Sequence, residues 1–334
     1  MNAQLRELGR SGAMVSAVGF GCMGLVGWYG TRNDEESRAT LLEAVEQGIN
    51  HFDTAASYQV GENEKFVGAL LKPMRNRIFL ATKCGIRRGA EGTLVVDTRP
   101  EVIRESLDES LARLGFDHVD LFYLHRIDRN VPIEESVGAL AELVRAGKVR
   151  HIGLSECSVA TLRRAHAVYP VAAVQSEYSI WSRDPEQGML AACRELGTGF
   201  VAYSPLGRGF LAGNFRRASD LPADDARKSH PRFQDENADR NARLVAALEA
   251  IAADLSGPDH RVSPAQVALA WVLSRAPEVV AIPGMKTRNH LADNLAGGSL
   301  ALPEKQLARI EAALSVFPVA GERHPPGMMK AIDR

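Results

Sequence analysis

The chain has 334 residues, 45% of them hydrophobic, and a formal net charge of −1. That is enough apolar material for a sizeable core, and the lack of a basic excess excludes nucleic acid as an implied partner. Four scattered cysteines (Cys22, Cys84, Cys157, Cys193) with no CxxC pair read as reduced thiols of a cytoplasmic protein, not as a disulfide or zinc framework.

In chain order, Arg6 and Arg10 precede an uncharged run, 11–30, that imitates a targeting signal. Gly19, Gly21, Gly24 and Gly27 interrupt it, where a signal or membrane segment would be more continuously apolar. Residues 5–18, with Gly12 near the middle, predict a β-hairpin. A unit then repeats: a short apolar strand, a loop, an amphipathic helix. The strands are predicted over 18–23, 50–55, 78–84, 119–125, 149–155, 173–178, 199–204 and 279–283. Helices are predicted near 34–48, 62–71, 99–114, 133–146, 158–167, 185–196, 237–255, 263–275, 288–296 and 303–315. A tail rich in Pro and Gly follows.

Eight strand–helix units imply an α/β fold with a parallel sheet, closed as a (β/α)8 TIM barrel spanning 1–334 as one domain with an N-terminal hairpin. The alternative is an open doubly wound sheet. No GxGxxG follows the first strand, and no linker-like composition divides the chain. The polar stretch 214–241 is too long for an ordinary strand–helix connection and reads as a lid or specificity loop.

In such a barrel, chemistry gathers at the C-terminal strand ends. The second strand ends at Asp53, the third at Lys83, the fourth at His125, the fifth at Ser155-Glu156 and the seventh at Tyr203-Ser204. The sixth passes through Gln175 and Glu177. His51, His118 and His151 fall at strand starts and read as structural. Singly, each residue also has a plain reading: Asp53 as a strand-end cap, Lys83 as a snorkelling cation, His125 as a satisfied core histidine, Tyr58 as loop packing. Jointly they describe a mechanism. A buried ammonium beside a phenol favours the phenolate, Asp53 would hold Lys83 charged and oriented, and a neutral histidine can position a carbonyl. Tyr58 is then a general acid for a carbonyl oxygen receiving a hydride.

These residues sit in motifs that resemble the aldo-keto reductase superfamily over nearly the whole chain. They are Asp53-Thr-Ala-x-x-Tyr58 with Gly61-x-Asn63-Glu64, Ala81-Thr-Lys83, Tyr123-Leu-His125, Gly147-Lys-Val-Arg-x-Ile-Gly-Leu-Ser155, Val174-Gln175-x-Glu-Tyr-Ser179, Tyr203-Ser-Pro-Leu-Gly207, and Ile282-Pro-Gly284 with Asp293-Asn294. Ser229-His-Pro-Arg-Phe233 and Ala320-Gly-Glu-Arg323 resemble the branch of bacterial and plant reductases that includes perakine reductase.

The resemblance implies a metal-free, NADP(H)-dependent reductase of a small-molecule aldehyde or ketone, with Asp53, Tyr58, Lys83 and His125 as its catalytic tetrad. Cofactor contacts are implied at Gly21, Cys22 and Met23 near the nicotinamide ribose, with Asp53 beside them. Ser155, Glu156 and Gln175 fall at the carboxamide, and Tyr203 under the nicotinamide ring. Ser204, Pro205, Leu206, Gly207 and Gly209 follow the pyrophosphate. Pro283 ends the eighth strand, and Gly284, Lys286, Arg288, Asp293 and Asn294 lie past it. Trp28, Tyr29 and Trp181, with Phe210, are candidates for an apolar substrate pocket, and the tail, 318–334, for a cover over the barrel mouth.

Three positions depart from the family pattern. Glu156 stands where many relatives have Asn, so its carboxylate either meets the carboxamide or turns away from it; Gln59 stands where Gly is usual, which would narrow the pocket; and Met285 stands where a hydroxyl residue often touches the 2′-phosphate. Preference for NADPH therefore rests on Lys286 and Arg288, beside a helix N-terminus that Thr287 would cap. A nucleotide-sensing channel subunit would keep the same tetrad, but no large apolar surface helix offers a membrane partner. A metal-dependent barrel hydrolase lacks its HxH after the first strand. Substrate and oligomeric state are not legible.

Overall fold

In a computed structural model, residues 3–88 and 94–333 are described, so the outermost residues of the expected 1–334 domain and of the 318–334 tail lie outside them. A hairpin of β1 (Leu5–Glu7) and β2 (Met14–Ser16) opens the chain. Then come β3 (Phe20–Gly21), α1 (Asp34–Glu46), β4 (His51–Asp53), α2 (Glu62–Leu71) and β5 (Phe79–Cys84). A second hairpin, β6 (Ile86–Arg88) with β7 (Leu94–Val96), was not apparent in the sequence pattern. The run continues through α3 (Pro100–Leu114), β8 (Val119–Leu124), α4 (Ile133–Arg145), β9 (Val149–Ser155), α5 (Val159–Val168), β10 (Val171–Glu177), α6 (Met189–Leu196) and β11 (Gly199–Tyr203). It ends with α7 (Asp235–Leu255), α8 (Pro264–Ser274), β12 (Val279–Ile282), α9 (Arg288–Ser299), α10 (Glu304–Val316) and α11 (Pro326–Met329).

The eight long-range strands are parallel, ordered β12-β11-β10-β9-β8-β5-β4-β3. Parallel bridges Val18–Ala281 and Gly21–Gly284 join the two ends into a barrel, with Gly19 N–H donating to the Ala281 carbonyl at 2.7 Å. Gly21 permits that closure, since a Cβ there would stand 2.7 Å from the Ile282 carbonyl oxygen. The expected (β/α)8 barrel is therefore observed.

Local chemistry sets the helix ends. Asn33 and Ser158 cap α1 and α5 by accepting from the backbone N–H of Glu36 and Thr161. Pro100 sits in the first turn of α3, which Gly115 stops with φ +73. The stretch 214–241 is not all loop. Three short 3-10 turns carry it to Gln234, and α7 then begins, two residues earlier than the sequence suggests.

Strand residues alternate faces. Outward side chains such as Phe52, Leu80, Phe122, Ile152, Val174 and Phe200 pack under the helices, each contributing about 1.5–3 kcal/mol on burial. Inward ones fill the barrel in layers. Phe79, Ala81, Leu121, Tyr123, Ala173, Val201, Val280 and Ile282 form one cluster, plugged by Leu8 and Val15 of the first hairpin. Gly153 lets Tyr123 fit, because a Cβ there would meet its ring at 2.4 Å. The same two-residue step carries the inward face from 79 and 81 to Lys83, from 121 and 123 to His125, from 173 to Gln175, from 201 to Tyr203 and from His51 to Asp53.

Candidate active site

One cavity of about 1220 Å³ opens at those strand ends. Asp53, Tyr58 and His125 reach its wall. So do Gly21, Cys22, Met23, Trp28, Tyr29, Ser155, Gln175, Tyr203, Ser204, Pro205, Leu206, Gly209, Pro283, Gly284, Lys286, Asp293 and Asn294. Lys83 is fully buried just behind it. Its Nζ donates to Asp53 Oδ1, to the Thr54 carbonyl at 2.8 Å and to the Tyr58 hydroxyl at 3.3 Å. Gln175 Nε2 donates to the other Asp53 oxygen at 2.8 Å. Asp53 is therefore a joint between Lys83 and Gln175.

Tyr58 is held by a strained turn. Gln59, Val60 and Gly61 follow it with φ of 47°, 53° and 85°, and a β-branched residue at positive φ is a genuine outlier. The motif around it has a structural reason. Thr54 donates to Asn63 Oδ1 at 2.7 Å, Asn63 Nδ2 donates to the Cys22 carbonyl at 2.8 Å, and Thr82 donates to Glu64 at 2.6 Å. These bonds tie β3, β4 and β5 to the start of α2.

Burial works against the Lys83 ammonium, but Asp53 and Tyr58 outweigh it and hold its pKa above the ordinary value. Burial, opposed by Lys83 and assisted by Asp53, leaves the Tyr58 phenol above its usual range. The ammonium thus moderates the phenol without carrying it below an ordinary tyrosine. Burial, with Arg126 and Lys83, pushes His125 well below the ordinary imidazole value, so it is neutral. The Ser57 hydroxyl lies 3.3 Å from its Nδ1. His51 and His151 sit at the strand starts against the Phe79 ring, and burial lowers His51 to about 4.

Six expected contacts, Phe210 among them, do not form part of the wall. Glu156 adopts φ +54 and turns to the tail. Arg323 grips it at 2.7 and 3.1 Å, and the Tyr203 hydroxyl donates to it at 2.7 Å. Gly207 faces the indole of Trp181, 2.6 Å from where its Cβ would stand. Trp181 itself packs behind the wall, stacked on Phe210 at 5.3 Å, because Phe215 and Phe233 complete a buried aromatic cluster there. Arg288 is drawn aside by Glu36, with Nη2 3.0 Å from Oε2. Lys83 acts only through its neighbours. Of the departures, Met285 is buried in the core. Gln59 lines a smaller adjoining cavity of about 400 Å³ with Trp28 and Asp225.

Other wall residues escaped the sequence pattern. Arg126, Arg208, Arg227, His230, His324 and Met328 also line the cavity. Only Arg126 carried a local signal, as the residue after a strand-end histidine; the rest come from loops and the tail. Arg208 pairs with Glu177 at 2.7 Å, and Arg227 with Asp225 at 2.7 Å. The tail packs on the mouth through Arg323 and through Asp333, which accepts from Ser158 N–H at 2.9 Å and Thr161 Oγ1 at 2.6 Å.

At the far end of the cavity, Lys286 Nζ donates to the Thr31 carbonyl at 2.7 Å. Thr287 caps α9 by accepting from His290 N–H at 3.2 Å. Asn294 Nδ2 is buried with no partner among the described residues, an orphan donor on a wall made of a lysine and a helix N-terminus. That set suits a phosphorylated nucleotide. Among the described residues no His, Cys, Asp or Glu cluster is placed to hold a metal, and no helix is long and apolar enough to cross a membrane.

Comparison with known proteins covers nearly the whole chain. The model of the Aldo/keto reductase family matches residues 17–315. A probable aldo-keto reductase 1 from Glycine max is 43% identical over 324 residues, 96% of this chain and 92% of that one. A protein of Schizosaccharomyces pombe named aldo-keto reductase yakc [NADP(+)] is 42% identical over 333 residues, 98% of this chain and 96% of its own. Among solved structures, a glycerol dehydrogenase from Gluconobacter oxydans superposes with a TM-score of 0.85 at 27% identity, covering 98% of this chain and 99% of that one.

Proposed function

The chain belongs to the aldo/keto reductase family, whose members are oxidoreductases acting on carbonyl groups; on that premise we propose that it reduces an aldehyde or ketone to the alcohol, taking the hydride from NADPH and the proton from Tyr58. The observation that carries this reading is the buried chain Gln175–Asp53–Lys83–Tyr58 beside a neutral histidine.

The residues divide the work. As hydride reaches the carbonyl carbon, the oxygen gains negative charge, and Tyr58 gives it the phenolic proton. The resulting phenolate lies 3.3 Å from the fully buried Lys83 ammonium, which stabilises the developing charge. A phenol held above its ordinary range is fully protonated at neutral pH, as an acid should be. In the tautomer that this reading assigns, the Ser57 hydroxyl 3.3 Å away donates to Nδ1, and His125 carries its proton on Nε2, from which it can donate to the same oxygen. Asp53 orients Lys83, and the proton lost by Tyr58 returns from solvent.

Gly21, Cys22, Met23, Ser155, Gln175 and Tyr203 would hold the nicotinamide end. Ser204, Leu206 and Gly209 would follow the pyrophosphate, with Lys286, Arg288 and Asn294 at the adenosine phosphate. NADP dependence is supported by the named relative from Schizosaccharomyces pombe and by the lysine beside the capped N-terminus of α9. Residues 214–234 and the tail act as walls that select the substrate.

The test is NADPH oxidation followed at about 340 nm over a panel of aldehydes, dicarbonyls and ketones, run beside Tyr58→Phe. Loss of one transition-state hydrogen bond and its proton lowers kcat by about 10²–10⁴-fold. Full carbonyl-reducing activity in Tyr58→Phe would overturn the proton-donor assignment. A kcat/KM with NADH equal to or better than that with NADPH would overturn the cofactor assignment.

A further inference from the structure

The cations on the cavity wall are unequally neutralised. Arg87 pairs with Glu105 at 2.8 Å, Arg113 with Glu64 at 2.6 Å, Arg208 with Glu177 and Arg227 with Asp225 at 2.7 Å each. Arg126 has no carboxylate within 4.0 Å among the described residues, although it is only 7% exposed. The nearby Glu156, whose carboxyl it influences, is already held by Arg323.

Its hydrogen bonds are equally incomplete. Nη1 donates to the His125 carbonyl at 2.6 Å and reaches Ser155 Oγ at 3.5 Å. Nε and Nη2 have no partner among the described residues, yet neither is sealed from solvent. They open onto the cavity that Arg126 lines, beside the histidine that would position the carbonyl. A buried guanidinium without a counter-ion is costly unless something supplies one. Its planar fork matches a carboxylate.

We propose that Arg126 is a specificity-determining residue that recognises a carboxylate on the carbonyl substrate, so that this enzyme prefers oxo acids or aldehyde acids to neutral carbonyl compounds. The inference rests on the carbonyl-reductase reading of the same cavity. Lys286, also without a carboxylate partner among the described residues, stands at the opposite end and is assigned to the cofactor. The substrate's anion is therefore read at the tetrad end by Arg126. Three members of the wall then share the substrate: Arg126 sets the orientation of the acid, and His125 and Tyr58 receive its carbonyl oxygen.

The experiment uses matched acids and methyl esters of equal shape: phenylglyoxylate against methyl phenylglyoxylate, and 4-carboxybenzaldehyde against methyl 4-formylbenzoate. kcat/KM is measured with NADPH for the wild type, Arg126→Met and Arg126→Lys, with the NADPH Kd from fluorescence quenching. The expected result is an acid-over-ester ratio of about tenfold or more in at least one pair, the worth of one charge-assisted contact. That ratio falls to about unity in Arg126→Met and is partly kept in Arg126→Lys. Esters preferred in both pairs would overturn the proposal. So would a ratio unchanged in Arg126→Met, or a loss shared equally by acid and ester together with a raised NADPH Kd. Should Arg126→Met not fold, wild-type inhibition decides: mandelate must compete with the neutral aldehyde about tenfold better than methyl mandelate. If neither acids nor esters are turned over, the reductase reading itself fails; turnover of esters without acid preference sinks only this proposal.

Discussion

Replacing Glu156 with Asn, the residue that the family pattern leads one to expect there, sets two effects against each other. Glu156 has φ +54, a conformation that costs a non-glycine residue about 1–2 kcal/mol and that Asn tolerates better. Against this, its carboxylate is 2% exposed and pairs with Arg323, itself 7% exposed. Removing one partner of a buried pair costs about 3–5 kcal/mol, because the other charge is stranded. The ion pair wins, and Glu156→Asn weakens docking of the tail by a net of about 1–4 kcal/mol. That corresponds to about 5- to 700-fold in the opening equilibrium. The tail segment from 318 to 333 should accordingly lose hydrogen-exchange protection, read by mass spectrometry. The Asp333 amide, which donates to the Glu156 carbonyl at 3.1 Å, falls within it. Adding Arg323→Met removes the stranded guanidinium and should recover part of the protection, a coupling that a double-mutant cycle measures. Tail exchange within about threefold of wild type in Glu156→Asn, or no recovery in the double variant, would refute this reasoning.

Acid should release the same tail. Burial alone would raise Glu156, but Arg323 and its other partners hold it below the ordinary glutamate range; Glu177, with Arg208 and Arg232, behaves likewise. Depressed carboxyls stabilise above their unfolded value and lose that contribution as pH falls through the folded one. Tail protection should therefore be constant at neutral pH and collapse below about pH 4. Glu36→Gln frees Arg288 for the cofactor phosphate and should lower the NADPH KM severalfold without improving NADH; an unchanged or raised NADPH KM would show that Arg288 takes no part. Gly21→Ala drives a Cβ against the Ile282 carbonyl oxygen. It should cost about 1–3 kcal/mol of stability, visible as a lowered Tm. Because His125 is held neutral, kcat/KM should show no imidazole ionisation between about pH 6 and 8, and a profile breaking near an ordinary histidine pKa would contradict its surroundings.

Much of the framework was legible because it is periodic. The two-residue step of a strand and the eight-fold strand–helix alternation are local properties, so Asp53, Lys83, His125, Gln175 and Tyr203 could be placed at one rim before any tertiary contact was known. Thr287 was legible as a cap for the same reason. The β6–β7 hairpin was not, since three-residue strands leave too few alternations to read. Trp181 illustrates the opposite limit. Its side chain is apolar and its position lies just past a strand, but whether it faces the cavity or Phe210 depends on segments 29 and 52 residues further on.

What the sequence by itself determined is the barrel, the inward parity of its strands and the chemical types at their C-terminal ends. What only the tertiary structure decided is how the charges at the mouth are shared. Glu156 belongs to Arg323, 167 residues away, Glu36 holds Arg288 across 252 residues, and Arg126 has no acidic partner among the described residues. A charge carries no periodicity and no preferred distance along the chain. Its partner is chosen by burial and geometry after folding, and so the polar residues at the strand ends could be placed from the sequence, Arg126 beside His125 among them, while which of the charges would stay unpaired could not.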